Sequence, residues 1–304
     1  MKFSLLICTY NRDKYIFETL NHIASNAFDF GKYELVIVDN NCTDNTSAEC
    51  HRFQIEHPDI NFSYVVETQQ GLSYARNRAI AEAKGDFLVF LDDDAYVDKD
   101  YLQNLDSMLK QYLDCSAFGG KITPLYENGE EPYWMNKRMY SLVSAIDKGP
   151  DVCLFEGNSF PIGANCGFRK DCIKQVGVFN VQLGRCKNNQ LAGEEKDLFY
   201  RIRSVGFLIY YFPSVHVFHN IPVNRTTLEF LCKSGLGIGI SERIRTKGNN
   251  IARIKRYFSE CVKWAGSLAL WFCYTIQGKS PKAKAIIKFR AAVTKGLLSK
   301  DSKS

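Results

Sequence analysis

Apolar residues gather in four short runs, FSLLIC (3–8), ELVIV (34–38), FSYVVE (62–67) and FLVFL (87–91). Each is too continuous for one-faced burial and too short for a helix, so each reads as a strand covered on both faces. Between the first two runs, Ile16, Leu20, Ile23 and Ala27 recur at helical spacing. Between the last two, Leu72, Ala75, Ala79 and Ala83 do the same, with Gly85 as the stop. The intervening connection opens on cap-type residues (NNCTDNT) and ends at Pro58. This βαβαβαβ alternation predicts an α/β fold with a parallel, doubly wound sheet and right-handed crossovers.

Beyond residue 113 the alternation loosens. The sequence suggests a strand in CSAFGGKI, a Trp/Tyr-rich connection, a helix opening near AGEEKDLFYRIRSVG and a hairpin in FLIYYFPSVHVFHN, with helices from Arg225 to the end. In open α/β sheets ligands bind beyond the carboxyl ends of the strands. Polar residues crowd that rim: Thr9, Tyr10, Asn11 and Arg12 after the first strand, Asp39, Asn40 and Asn41 after the second, and Asp92, Asp93 and Asp94 after the fourth. Three adjacent carboxylates repel one another unless a positive group neutralises them.

The chain of 304 residues is 45% hydrophobic, enough for a packed core. Its eleven cysteines include no C-x-x-C pair, so neither a zinc knuckle nor a disulfide framework is expected, and a reducing cytosol is. The first apolar run is too short for a signal-peptide core. The net charge of +6 conceals an asymmetry: from Ile251 onward twelve Lys or Arg face only Glu260 and Asp301, a tail of +10 on a body of −4. The most apolar stretch of that tail, WAGSLALWFCYTI, is shorter than the roughly 20 residues that span a bilayer. It is expected either to lie on an anionic membrane surface or to pack as a helical lid, and nucleic acid is not the expected partner.

No strand-to-helix turn carries a glycine-rich phosphate loop. A carboxylate triplet cannot hold a diphosphate directly, but Mg²⁺ or Mn²⁺ between them can. With that chemistry in place, six ordered blocks, SLLICTYNR, LVIVDNNCTDNT, GLSYARNRAI, DFLVFLDDDAYVDKDYL, GANCGFRKD and GEEKDLFYRI, resemble those of family 2 glycosyltransferases, inverting enzymes of the GT-A fold. The resemblance runs over about residues 1–245, which it makes the catalytic domain, with 246–304 a basic amphipathic helical extension. It implies a Rossmann-like mixed sheet and a nucleotide-sugar donor. Thr9, Tyr10 and Asn11 would line the nucleotide pocket, Asp39 would receive the base, and Arg76 and Asn77 would lie near the nucleotide or its phosphates. Asp92 and Asp94 would form the D-x-D pair, near the ribose and on the metal respectively, with Asp93 facing outward between them. His219 is a further metal ligand by this analogy, with His216 expected on the same face of its strand. Gly163 and Asn165 would border donor sugar and acceptor.

The family places its general base in a Glu-Asp block at the start of a helix. Here Glu194 is followed by Glu195, so the base aligns with Glu195, one methylene longer, with Asp197 in reserve. The implied reaction is inverting transfer to a saccharide or polyprenyl-linked acceptor, as in cell-surface polysaccharide synthesis, on the cytoplasmic side and peripheral to the membrane. The rivals are a metal-dependent nucleotidyl- or phosphotransferase, and a non-catalytic membrane-binding adaptor with a degenerate transferase domain.

Overall fold

The computed structural model describes residues 2–185 and 193–299. The four apolar runs are strands: β1 Phe3–Thr9, β2 Tyr33–Asp39, β3 Phe62–Val66 and β4 Phe87–Leu91. Every residue of β2 and β4 is buried. Both faces of the strands are therefore spent on core, which is why their sequence shows no alternation. Further strands are β5 Ala95–Val97, β6 Cys115–Tyr126, β7 Cys153–Leu154, β8 Asn165–Arg169 and β9 Leu208–Ile221. They make one mixed sheet in the order β3-β2-β1-β4-β8-β6-β9-β5, with β7 on β9. The first four strands pair in parallel. The sheet turns antiparallel where β4 meets β8, Leu91 opposite Asn165.

Helices α1 Ile16–Ala24, α2 Thr46–Glu56 and α3 Leu72–Glu82 are the three crossovers, followed by α4 Tyr101–Gln111, α5 Lys170–Val176 and α6 Glu194–Ser204. One apolar cluster joins Leu5, Ile7, Leu35, Ile37 and Val89 to Ile16, Leu20 and Phe53. A second, on the other face, joins Leu6, Val36, Leu88 and Phe90 to Ala75, Ala79, Leu198 and Phe199.

The hairpin expected at 207–220 is not formed. The segment is the single strand β9, which continues through Pro213, pairing with β7 at Tyr210 and Tyr211 and with β5 from Val217 to His219. Proline removes one ladder donor but is tolerated where the strand passes between partners.

The chain divides into two compact units, residues 1–125, 144–181 and 194–220 in the first, and 126–143, 182–193 and 221–304 in the second. The second unit holds α7 Leu228–Arg245, α8 Asn250–Ile276 and α9 Ser280–Leu298. Trp134 is fully buried there and donates Nε1–H to the Thr226 carbonyl at 2.7 Å. Helices α7 and α9 cross at glycines. A methyl on Gly239 would lie 2.1 Å from the Val293 carbonyl, and one on Gly296 would lie 2.2 Å from the Leu236 carbonyl. The expected boundary at 245/246 falls inside this unit, because α7 packs on α9.

Candidate active site

Strands β1 and β4 are parallel neighbours, so the segments that follow them emerge on the same rim. This brings Arg12 to the acidic triplet: Nε lies 3.2 Å from Asp93 Oδ1 and one terminal nitrogen 3.6 Å from Asp94 Oδ2. Asp93 is buried, contrary to the outward orientation expected from its middle position. Its backbone carbonyl also accepts from the Thr19 hydroxyl at 2.9 Å. Burial raises the Asp93 pKa to about 6 against the opposing pull of Arg12, and its two carboxylate neighbours add to the rise. Arg12 is held firmly cationic, Asp93 being the largest cause.

Asp94 points the other way from this ion pair with its second oxygen. His219 Nε2 lies 2.9 Å from Asp94 Oδ1 and 3.7 Å from Asp92 Oδ2. The antiparallel register of β5 and β9 sets this contact, since Ala95 sits opposite His219 and the Asn220 N–H donates to the Asp94 carbonyl at 2.9 Å. One ligand atom from each of Asp92, Asp94 and His219 falls within 4.8 Å of the others. Two hard carboxylate oxygens and one imidazole nitrogen suit Mn²⁺ or Mg²⁺, and the burial of Asp94 and His219 gives the set a reason to be neutralised by a cation. The residues fit a divalent metal. His216 does not join them: three residues from His219 on an extended strand, it faces the other side and bonds the Thr123 hydroxyl at 2.8 Å.

Further along the rim, one guanidinium serves two acids. A single terminal nitrogen of Arg76 on α3 lies 2.7 Å from Glu194 Oε1 and 2.9 Å from Glu195 Oε1 at the start of α6. Arg76 and Glu194 are almost wholly buried, while the Glu195 side chain keeps 20% exposure. Burial and then repulsion from Glu195 push the Glu194 pKa up to about 8, with Arg76 opposing. Burial disfavours ionised Glu195 too, but Arg76 and a hydrogen bond from Glu194 outweigh it and hold Glu195 below the usual carboxylate range. The two shifts run in opposite directions, favouring the proton on Glu194 and the charge on Glu195. Gly163 makes room for this arrangement. A methyl there would stand 2.2 Å from an Arg76 nitrogen and 2.3 Å from Glu195 Oε1. Arg76, Gly163, Asp92, Cys8 and Leu72 line one small cleft, and Arg76 is the residue of that cleft that touches the carboxylate pair.

Other expected site residues hold the frame. Asn165, expected to border a sugar, is fully buried; its Oδ1 accepts from Tyr101 at 2.8 Å and its Nδ2 donates to the Lys121 and Val215 carbonyls. Asn77, expected near the nucleotide, clamps the Phe179 backbone with its amide in both directions, at 3.0 and 2.9 Å. Asp197 pairs with Arg201 at 3.1 Å, one turn along α6, and is not part of the Arg76 cluster. Asn11 takes φ +54 and grips Thr43 through both amide atoms. Thr9 is buried at the end of β1, and Tyr10 beside it is half-buried. Asp39, at the end of β2, accepts from the Cys42 N–H at 2.6 Å and from the Tyr64 hydroxyl. It is fixed in place but keeps acceptor capacity for a ligand.

A sequence model of glycosyl transferase family 2 matches residues 4–177. Among curated proteins the chain is 26% identical, over 80% of its length and 77% of the relative's, to the glucosyl-dolichyl phosphate glucuronosyltransferase of Haloferax volcanii. It is 28% identical to the succinoglycan biosynthesis protein ExoM of Rhizobium meliloti, over 75% and 69%. Among solved structures, the mannosyltransferase PcManGT of Pyrobaculum calidifontis, in complex with GDP-Man and Mn²⁺, superposes with TM-score 0.65 at 18% identity, covering 99% of this chain and 88% of that one. The fold is therefore GT-A.

Proposed function

Because this chain belongs to glycosyl transferase family 2 and is a sugar-transferring enzyme, we propose that it moves a sugar, with inversion, from a nucleoside diphosphate to a hydroxyl of a saccharide or lipid-linked acceptor. In this reading Glu195 is the general base and Asp92, Asp94 and His219 hold Mn²⁺ or Mg²⁺. The observation that carries it is the Arg76 bridge: a carboxylate held ionised, partly exposed and beside Gly163, by an arginine that lines the same cleft as Asp92.

The chemistry needs one proton acceptor. As the acceptor oxygen forms its bond to the anomeric carbon, the bond from that carbon to the diphosphate breaks and the hydroxyl proton passes to a Glu195 oxygen. Arg76 keeps that oxygen ionised beforehand, and Glu194, already protonated, does not compete for the same proton. Asp39 and the strand ends at Thr9 and Tyr10 hold the nucleoside end of the donor. When bound, the divalent cation stabilises the negative charge of the departing diphosphate. The relatives support this donor and acceptor class, since one acts on a dolichyl phosphate sugar and a structural neighbour was solved with a nucleotide sugar and Mn²⁺.

The test is incubation with a panel of nucleoside diphosphate sugars and candidate acceptors, with and without Mn²⁺, reading products by mass spectrometry and anomeric configuration by NMR. Free nucleoside diphosphate with an inverted glycoside supports the proposal. Pyrophosphate release would assign the site to nucleotidyl transfer instead.

A further inference from the structure

Helix α8 is inside out. Its buried positions are polar: Arg256 lies 3.1 Å from Glu242 on α7 and 2.8 Å from Glu260, and Arg290 of α9 reaches Glu260 at 3.2 Å. Trp264 donates to the Thr294 hydroxyl at 2.9 Å on the same side of the bundle. The opposite side carries Ile251, Ile254, Phe258, Val262, Phe272 and Ile276, each between 57% and 72% exposed. At 3.6 residues per turn these six fall within an arc of about 80° and extend roughly 38 Å along the helix. Exposed Ala265 and Ala269 fill the gap between Val262 and Phe272, so the stripe is continuous. An amphipathic helix in water normally turns such a stripe inward, and a contiguous exposed apolar face of this length marks an interaction surface.

The charge around the stripe selects its partner. Lys255 borders the stripe, about 20° round the helix from Val262, and Lys263, Lys284 and Lys288 are further exposed cations of α8 and α9, whereas the sole acid between residues 250 and 299, Glu260, is buried. We propose that this face of α8 lies in the surface of an anionic lipid bilayer, with its apolar stripe at the acyl boundary and Lys255 beside it at the headgroups. A second copy of the chain is a poor occupant, because it would bring one tail of +10 against another. Among the described residues no helix is long and apolar enough to cross a membrane, which fits a helix lying in the plane. This inference names a partner surface and does not rest on the transfer reaction.

The experiment uses the full chain and sedimented vesicles, one set of phosphatidylcholine alone and one with about 30% phosphatidylglycerol. The wild type is expected to bind the anionic vesicles and to release as salt rises from about 0.05 to 0.5 M. Phe258→Asp/Phe272→Asp is expected to lose at least about tenfold in partitioning while keeping its circular dichroism, because both side chains are in water. Should that variant misfold, Lys255→Glu/Lys284→Glu replaces it, with the same loss expected. Asp94→Ala is expected to bind as the wild type does, so failure of the transfer reading would leave this result standing. Wild-type protein that ignores anionic vesicles, or folded variants that bind undiminished, would overturn the proposal. So would a dimer in sedimentation equilibrium that Phe258→Asp/Phe272→Asp dissolves without any vesicle binding, which would give the face to a second copy.

Discussion

One guanidinium can neutralise one carboxylate, and Arg76 faces two. The arrangement therefore holds a proton at neutral pH, and burial places it on Glu194, whose pKa rises to about 8. A carboxyl group raised in the folded state binds protons that the unfolded chain has already lost, so stability falls as pH climbs from its ordinary value through 8 and levels off above. Glu195 contributes the opposite slope, but only at acidic pH where its lowered carboxyl titrates, and Asp93 finishes near 6. Between about pH 6.5 and 7.5 the slope thus belongs to Glu194, because the thiols of Cys8, Cys50 and Cys115, raised by burial from 9 to about 12, add a fall of their own only above it. Melting temperatures of the wild type are expected to drop across that window by a few degrees, at about 2–4 °C per kcal/mol, and those of Glu194→Gln to stay flatter. Equal slopes would remove the stored proton from the site. Glu195→Gln is expected to keep donor binding and lose about 10²- to 10⁴-fold in transfer rate. The Glu194-Glu195 block was legible from its place at a helix start, but its cation was not. Arg76 lies 118 residues away from Glu194, and its position on α3 suggested a phosphate ligand until burial beside both acids assigned it otherwise. Arg12 escaped for the same reason, with only the unneutralised triplet as a hint.

At the scale of elements, glycine positions separate a local constraint from a global one. A methyl at Gly163 meets the far ends of two side chains, Arg76 and Glu195, which can swing aside. Gly163→Ala is expected to leave the melting temperature nearly unchanged and to lower kcat by about tenfold or more through a displaced base. A methyl at Gly239 meets backbone, the Val293 carbonyl and the Leu297 nitrogen, and one helix must shift. Gly239→Ala is expected to destabilise by about 1–3 kcal/mol, read as an earlier thermal transition. Four buried strands and their crossover helices were legible because a short, unbroken apolar run between turn signals fits little besides a strand covered on both faces. β9 was not, because Pro213 carries a turn signal that strand pairing on either side overrides. The α7 glycines gave no periodic signal either, since their role is defined by α9 and not by their own helix.

Across the whole molecule, the same logic separates what composition revealed from what only packing decides. The basic, apolar character of the tail was plain in the sequence, but which side of α8 faces water depended on the Glu242, Arg256, Glu260 and Arg290 network that captures its polar side. The acidic rim is the reverse case: its neutraliser is in part a protein cation, Arg12, and in part the proposed divalent ion at Asp92, Asp94 and His219. That division can be measured. A ligand that binds only the folded state stabilises it by about 2.7 kcal/mol at a hundred times its Kd, several degrees in a chain of this size. Mn²⁺ with a nucleoside diphosphate is expected to raise the melting temperature more than either alone, since the ion screens the carboxylates from the phosphates. Asp94→Ala is expected to erase the Mn²⁺-dependent part of the shift, and Glu195→Gln to preserve it, because Glu195 is neutralised by Arg76 and needs no metal. A shift that survives in Asp94→Ala would mean that Arg12 alone carries the diphosphate, and the acidic rim would then need another purpose.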